Sequence, residues 1–220
     1  MATTRKRSYD ATKRRERAEE ERRATRRRVL AAAQVLFVGK GYKATTMADI
    51  AAEAGVAMQS VYKAGRSKAD LLQRVVEVVV AGDDDDVLIT DRPSVAAIAD
   101  EADATRQVEM LAALIASTQE RSAPVQVALR EAAALDQAVA RNLDAELQRR
   151  HETIGAVVGM IAEDRLRHSR EESVDTVWAI GSSEVFLLLR TRRGWDADHY
   201  LRWLTSTLVG QLLVTDAPVS

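Results

Sequence analysis

The sequence predicts an all-α protein, and three observations carry that prediction. Apolar residues recur at helical spacing from Val29 almost to the C-terminus, no run alternates with the period of two that a half-buried strand requires, and Ala, Leu, Val, Arg and Glu dominate a chain with only 3 prolines. At 220 residues there is room for one large or two modest helical domains with a substantial core. The absence of cysteine excludes disulfides and thiolate metal sites. No apolar run approaches the roughly 18 residues that span a bilayer. The basic N-terminus leads into no apolar segment, so neither a membrane span nor a signal peptide is expected, and a cytoplasmic location is.

The net charge of −1 hides a division: residues 1–75 hold 18 Lys plus Arg against 8 Asp plus Glu, leaving 14 against 25 for residues 76–220. A cationic end joined to an acidic one suits phosphate binding at one end only. The first 27 residues are dominated by Arg, Lys and Glu with almost no large apolar side chain, too little to offset ordering entropy, so a flexible basic arm is expected over 1–27. Val29, Ala33, Leu36 and Phe37 then mark one face of a first helix that stops near Gly39 or Gly41, with Tyr42 packing back beneath it. Thr46 and Asp49 form a capping box for a second helix, whose N-terminus can receive a phosphate. Ile50, Ala51 and Ala54 repeat at helical spacing, Gly55 breaks the pattern, and Val56 and Val61 restart it. Two short helices meeting at a glycine, the second with its polar face outward, make a helix-turn-helix pattern of the kind that reads DNA. Beside it the arm's Arg5, Lys6, Arg7, Lys13, Arg14, Arg15 and Arg17 either follow phosphates and a minor groove or serve only as a solubilising tail.

Five blocks, in order from about Arg28 to Leu72, make the pattern specific: VLAAAQVLF from Val29, GYKATTMADIA from Gly41, AGV from Ala54, VYK from Val61 and SKADLL from Ser67. Together they resemble the DNA-binding domain of the tetracycline-repressor (TetR) family of bacterial transcription regulators. The resemblance implies an N-terminal three-helix helix-turn-helix DNA-binding domain over 28–75 and a larger C-terminal helical ligand-binding and dimerisation domain over 76–220. Two positions depart from the family's pattern. Ala57 stands where a hydroxyl residue commonly caps the recognition helix, a loss of about 1 kcal/mol. Gly65 replaces an aromatic residue, and is either a loosened joint or a helix end in the left-handed conformation.

The recognition helix is expected over Met58 to Ala64, presenting Met58, Gln59, Ser60, Tyr62 and Lys63 to a major groove. Gln59 can bind adenine at N6 and N7, Met58 can press on a thymine methyl, and Lys63 can reach guanine or phosphate. Thr46, Tyr62 and Lys68 are the expected phosphate contacts, which fix register without reading sequence.

A Ser67/Asp70 capping box opens a fourth helix through Leu72 and Val79, which Gly82 and the Asp83 to Asp86 run close as a solvated linker lacking the glycine and distant glutamate of a calcium loop. Further helices are predicted over Ser94 to Asp100 and Thr105 to Gln119, from Pro124, and from Gln137 to about Leu166, a span of roughly 40 Å. The last two run from Glu171 to about Arg192, with a Ser169/Glu172 capping box, and from Asp196 to about Val214. In the family this last pair forms a four-helix bundle with its copy. The resemblance thus implies a homodimer through Val177, Ile180, Val185, Phe186, Leu189, Leu201, Leu204, Leu208 and Leu212. It also implies a small apolar or amphipathic effector, for which Met110, Leu114, Val127, Leu147, Met160 and Trp178 are candidates that equally suit plain core packing. His151, His168 and His199 are scattered and no catalytic, nucleotide-binding or metal motif occurs, so neither enzyme activity nor a cofactor is expected. The function expected is a sequence-specific DNA-binding regulator, most simply a repressor released by a ligand. The alternative is a helical interaction protein or a nonspecific nucleic-acid binder.

Overall fold

The computed structural model of the protein describes residues 3–83 and 89–214, with side chains from Lys13 onward. The described residues form α1 (Thr3–Gly39), α2 (Met47–Ala54), α3 (Met58–Ala64), α4 (Lys68–Ala81), α5 (Pro93–Asp100), α6 (Ala104–Ala133), α7 (Gln137–Val158), α8 (Arg170–Ile180), α9 (Ser183–Leu187) and α10 (Ala197–Leu212). Among them there is no strand, only an isolated bridge between Leu166 and Leu213 that ties the end of α10 to the loop after α7.

Two apolar cores organise the chain. The first gathers Val29, Leu36 and Phe37 of α1, Ile50 of α2, Val61 of α3 and Leu72, Val75 and Val76 of α4, and it extends into α6 through Val125, Ala128, Leu129 and Ala132. The second joins α5, the N-terminal half of α6, α7, α8, α9 and α10 around Val108, Leu111, Val158, Val177, Leu204 and Leu208. The head's core is therefore not confined to residues 28–75.

α1 corrects the reading of residues 1–27 as a flexible arm, because the helix runs unbroken from Thr3 into the first core. Ala, Arg and Glu are strong helix formers, and pairs such as Arg17 with Glu21 (3.4 Å) add small surface contributions. Lys13, Arg14, Arg15 and Arg17 stand exposed, while the side chains of Arg5, Lys6 and Arg7 lie outside the described residues.

Both Thr46/Asp49 and Ser169/Glu172 close complete capping boxes, as their spacing predicts. At α4 only half of the box forms: Ser67 Oγ accepts from Asp70 N, but the Asp70 carboxylate takes Arg66 N (2.7 Å). Gly82 ends α4 at φ 90°. Of the Asp83 to Asp86 run, Asp83 meets Arg92, and the rest lies outside the described residues.

Three predicted boundaries move. α6 passes through Pro124 instead of restarting there, because Ala123, Val125, Ala128 and Leu129 are buried on both sides of the proline and outweigh one lost backbone bond. α7 stops at Val158, eight residues early, where Arg170 caps the carbonyls of Val158 (2.7 Å) and Ile161 (3.2 Å). The helix predicted from Glu171 breaks at Gly181, where the Ser182 hydroxyl accepts from Val185 N and opens α9. A π-helical turn, Leu188–Arg192, then leads toward α10.

Gly65 is neither a left-handed cap nor a loosened joint. Its backbone is extended at φ −159°, and a Cβ there would lie 2.6 Å from the buried side chain of Leu71. Leu71 already fills that space. Gly65→Ala should therefore destabilise the head by about 1–3 kcal/mol, as overpacking does, read as a lower urea midpoint; an unchanged midpoint would show spare room.

Candidate functional site

The head is built around the α2–α3 turn. Gly55 adopts φ 62° and ψ 41°, and the Val56 N–H donates to Ala51 O at 3.0 Å, closing the turn. Ile50, Ala51, Ala54, Val61 and Ala64 are buried beneath it. α3 starts at Ala57 with no side-chain cap, as its missing hydroxyl predicts. Its outer face shows Met58 (39% exposed), Gln59, Tyr62 (51% exposed) and Lys63, with Ser60 half-buried. Thr46 stands exposed at the N-terminus of α2, where its backbone N–H holds the Asp49 carboxyl below the usual range. One surface thus carries a short helix with an amide, a thioether, a phenol and an ammonium outward, the groups that meet base edges and phosphates.

Lys68 departs from the expected phosphate contact. Its Nζ donates inward to Tyr42 O (2.8 Å) and Thr45 O (3.1 Å) and lies 4.2 Å from the centre of the Tyr42 ring. It clamps the loop that delivers Thr46 to α2. Beside it the buried Thr45 hydroxyl lies within 2.9 Å of Gly41 O. The Tyr42 hydroxyl donates to Asp136 Oδ2 at 2.7 Å, and the same carboxylate caps α7 through Ala138 N. Burial, and then the bond to Asp136, push the Tyr42 phenol up; that bond in turn lowers the Asp136 carboxyl. Thr45 and Asp136 escaped the sequence reading. Asp136 had a usable signal, a capping residue just before a helix start; Thr45 had none.

A cavity of about 900 Å³ lies between head and body, bounded by α1, α4, α6, α7 and α8. Of the six ligand candidates Leu114, Leu147 and Trp178 line it, whereas Met110, Val127 and Met160 do not; Met110 and Met160 pack against the second core instead. Charged side chains share its wall: Arg74, Glu77, Arg130, Glu146, Arg149 and Arg150 all reach it. Glu146 is buried against Arg149 (2.7 Å), with its carboxyl pushed up by burial, and Arg130 meets Glu184 (2.8 Å). Arg150 donates to Trp178 O at 2.7 Å. The signal for these residues was present: Leu143, Glu146, Leu147, Arg150 and Ile154 share one face of α7, so two charges sit inside an apolar stripe. Periodicity flags such positions but does not say whether they face a core or a cavity.

The expected pairing surface divides. Val177, Phe186, Leu204, Leu208 and Leu212 are buried in the chain's own second core and are not on a face that a second copy can reach. An apolar stripe reads the same in sequence whichever neighbour covers it. Ile180, Val185, Leu189 and Leu201 keep part of their surface, and Leu201, Thr205 and Val209 follow one another along the outer edge of α10.

Among the described residues no helix is long and apolar enough to cross a membrane, and no three His, Asp or Glu side chains converge as metal ligands do.

The arrangement defines a helix-turn-helix head on an all-helical body. Residues 29–75, the helix-turn-helix head, match the family model described as "Bacterial regulatory proteins, tetR family". No protein of curated function matches the sequence. Solved structures share the whole fold. A transcriptional regulator from Saccharomonospora viridis in complex with choline is 19% identical, with a TM-score of 0.63 over 86% of this chain and 98% of its own. NalD, the secondary repressor of the MexAB-OprM multidrug efflux pump in Pseudomonas aeruginosa, is 23% identical, with a TM-score of 0.62 over 88% and 98%. SmeT in its triclosan complex is 17% identical, with a TM-score of 0.65 over 90% and 96%.

The Tyr42–Asp136 bond makes stability depend on acid in a defined direction. A carboxyl lowered in the folded state contributes fully above its unfolded value near 3.8, and the contribution is lost as pH falls through the lower folded value. Tyr42→Phe should lower the urea midpoint at pH 7 and shrink the further loss on acidifying from pH about 5 to about 2. An acid profile parallel to that of the unsubstituted protein would mean the bond is not formed in solution.

Proposed function

We propose that the protein is a sequence-specific DNA-binding transcriptional repressor that acts as a homodimer on an inverted-repeat operator and is released by a small amphipathic ligand. The observation that carries this reading is the exposed face of α3, where Met58, Gln59, Tyr62 and Lys63 project from a helix whose underside, Val61 and Ala64, is locked into the head's core. A rigid helix with outward groups is what base reading needs, since misplacement by a fraction of a base step loses bidentate contacts. Gln59 and Met58 read base edges, Lys63 reaches guanine or phosphate, Thr46, Ser60 and Tyr62 contact the backbone, and Lys68 acts by holding the loop before α2.

In this reading residues 28–75 read DNA, residues 76–220 bind the effector and pair two copies, and the basic segment 1–27 adds phosphate contacts; no catalytic step or cofactor enters. The setting is cytoplasmic. Pairing uses Ile180, Val185, Leu189, Leu201 and the outer edge of α10. The ligand's route to the head is α4, which lines the cavity through Arg74, Val78 and Ala81 and enters the first core through Leu72, Val75 and Val76. A ligand that fits better when α4 is displaced favours heads set too far apart for one operator. The repressor NalD and the ligand-bound neighbours support this reading by analogy of fold.

Selection of randomised duplex DNA by the purified protein at about 150 mM salt should enrich one inverted repeat with half-sites about one helical turn or more apart. On that repeat Gln59→Ala should cost about 1–3 kcal/mol and relax preference at one position. Equal retention of every sequence would leave only nonspecific binding, and binding of none would remove the regulator reading.

A further inference from the structure

The cavity's charges are not balanced in the same way. Glu146 has Arg149, Glu184 has Arg130 and Asp83 has Arg92, each in direct contact, while Glu77 is exposed to solvent and accepts from Gln73. Arg150 differs. It sits inside the apolar stripe of α7 between Leu147 and Ile154, and its recorded hydrogen bond goes to a backbone carbonyl, Trp178 O; no carboxylate among the described residues is in ion-pair contact with it. A guanidinium carries five N–H donors in a planar fork, so most of them remain available. The Trp178 ring lies 5.7 Å from the guanidinium carbon, and its indole N–H is buried without a hydrogen-bond partner. The spare donors of the guanidinium and a buried, unpartnered indole N–H therefore belong to adjoining side chains at one wall. Leu111, Leu114, Leu147 and Ile154 supply apolar surface in the same cavity.

We propose that the ligand of this cavity is an amphipathic anion, its carboxylate held by the Arg150 fork beside the Trp178 indole N–H and its hydrocarbon tail lying along Leu111, Leu114, Leu147 and Ile154. This rests on the effector reading above and adds the chemical class. A cation hydrogen-bonded only to a backbone carbonyl, with Glu184 and Glu146 acting on it only from beyond ion-pair contact, is costly in a partly dry cavity, and an incoming carboxylate turns it into a bidentate pair without breaking one of the existing ion pairs. A quaternary ammonium finds the opposite situation: the carboxylates in contact with a cation would have to give up that partner, and Glu77 is already solvated.

The test uses the full-length protein and three probes with one tail and different heads: decanoate, decanol and decyltrimethylammonium, each below its micellar concentration. Calorimetry gives affinity, and tryptophan fluorescence reports on occupation near Trp178. Decanoate should bind most tightly, and Arg150→Gln should weaken it by about tenfold or more, as expected for removing a charge-assisted contact. Arg150→Lys, which keeps charge but not the fork, should recover part of that loss, while decanol binds the parent and both variants alike, showing the cavity intact. Tighter binding of the ammonium probe, or decanoate affinity unmoved by Arg150→Gln, overturns the anionic assignment while leaving a ligand cavity. If none of the three probes binds the parent protein, the effector-cavity reading itself falls, and the anionic class with it.

Discussion

The continuity of α6 is the constraint on which the rest of the structure depends. One helix, Ala104–Ala133, gives Val108, Leu111 and Ala112 to the body's core and Val125, Leu129 and Ala132 to the head's core. If it ended at Pro124, head and body would share only a junction. Burial of apolar surface on both sides of the proline stabilises by more than the single missing backbone bond costs, since each fully buried Val or Leu is worth about 1.5–3 kcal/mol. The molecule is thereby two cores on one shaft.

The cavity lies against that shaft, and the loop before α2 is bonded to a residue just beyond its end. The cavity is walled by α6 together with α4 and α7, so its contents touch elements that also hold the head. The Tyr42–Asp136 bond joins the loop before α2 to the start of α7, and Lys68 fastens the same loop from α4. Two contacts from different parts of the chain thus hold the loop that leads into α2. A small shift of α4 or of the α6–α7 joint passes into packed cores, which respond by discrete rearrangement more than by smooth deformation.

Much of this was legible in the sequence, and the misses share a cause. Local signals read correctly at several helix ends: Thr46 with Asp49, Ser169 with Glu172, Gly82 at the end of α4 and the uncapped Ala57. They misled where a distant partner decides. Pro124 is overruled by tertiary burial, α7 ends where Arg170 reaches back to its carbonyls, and Gly65 is required by the position of Leu71. Lys68 looks like a phosphate contact by type and place, yet two loop carbonyls lie closer than any solvent-facing role requires. The apolar stripes of α8, α9 and α10 announced burial but not by whom, which is why Leu204, Leu208 and Leu212 proved to be core. Arg150 and Glu146, charges within the stripe of α7, were the readable trace of the cavity.

In the proposed regulator two such heads are paired by the body and set at a spacing that DNA selects. Because the chain has no cysteine, one exposed position on the head can be labelled alone, and Glu53→Cys on α2 is suitable. The measurement is the distribution of spin-label distances between copies, free and on the inverted repeat recovered by duplex selection. The account predicts an intermolecular distance in the free protein that narrows on DNA to a value set by a helical turn, about 34–36 Å or a multiple. Absence of any intermolecular distance, or a distribution indifferent to DNA, would contradict it.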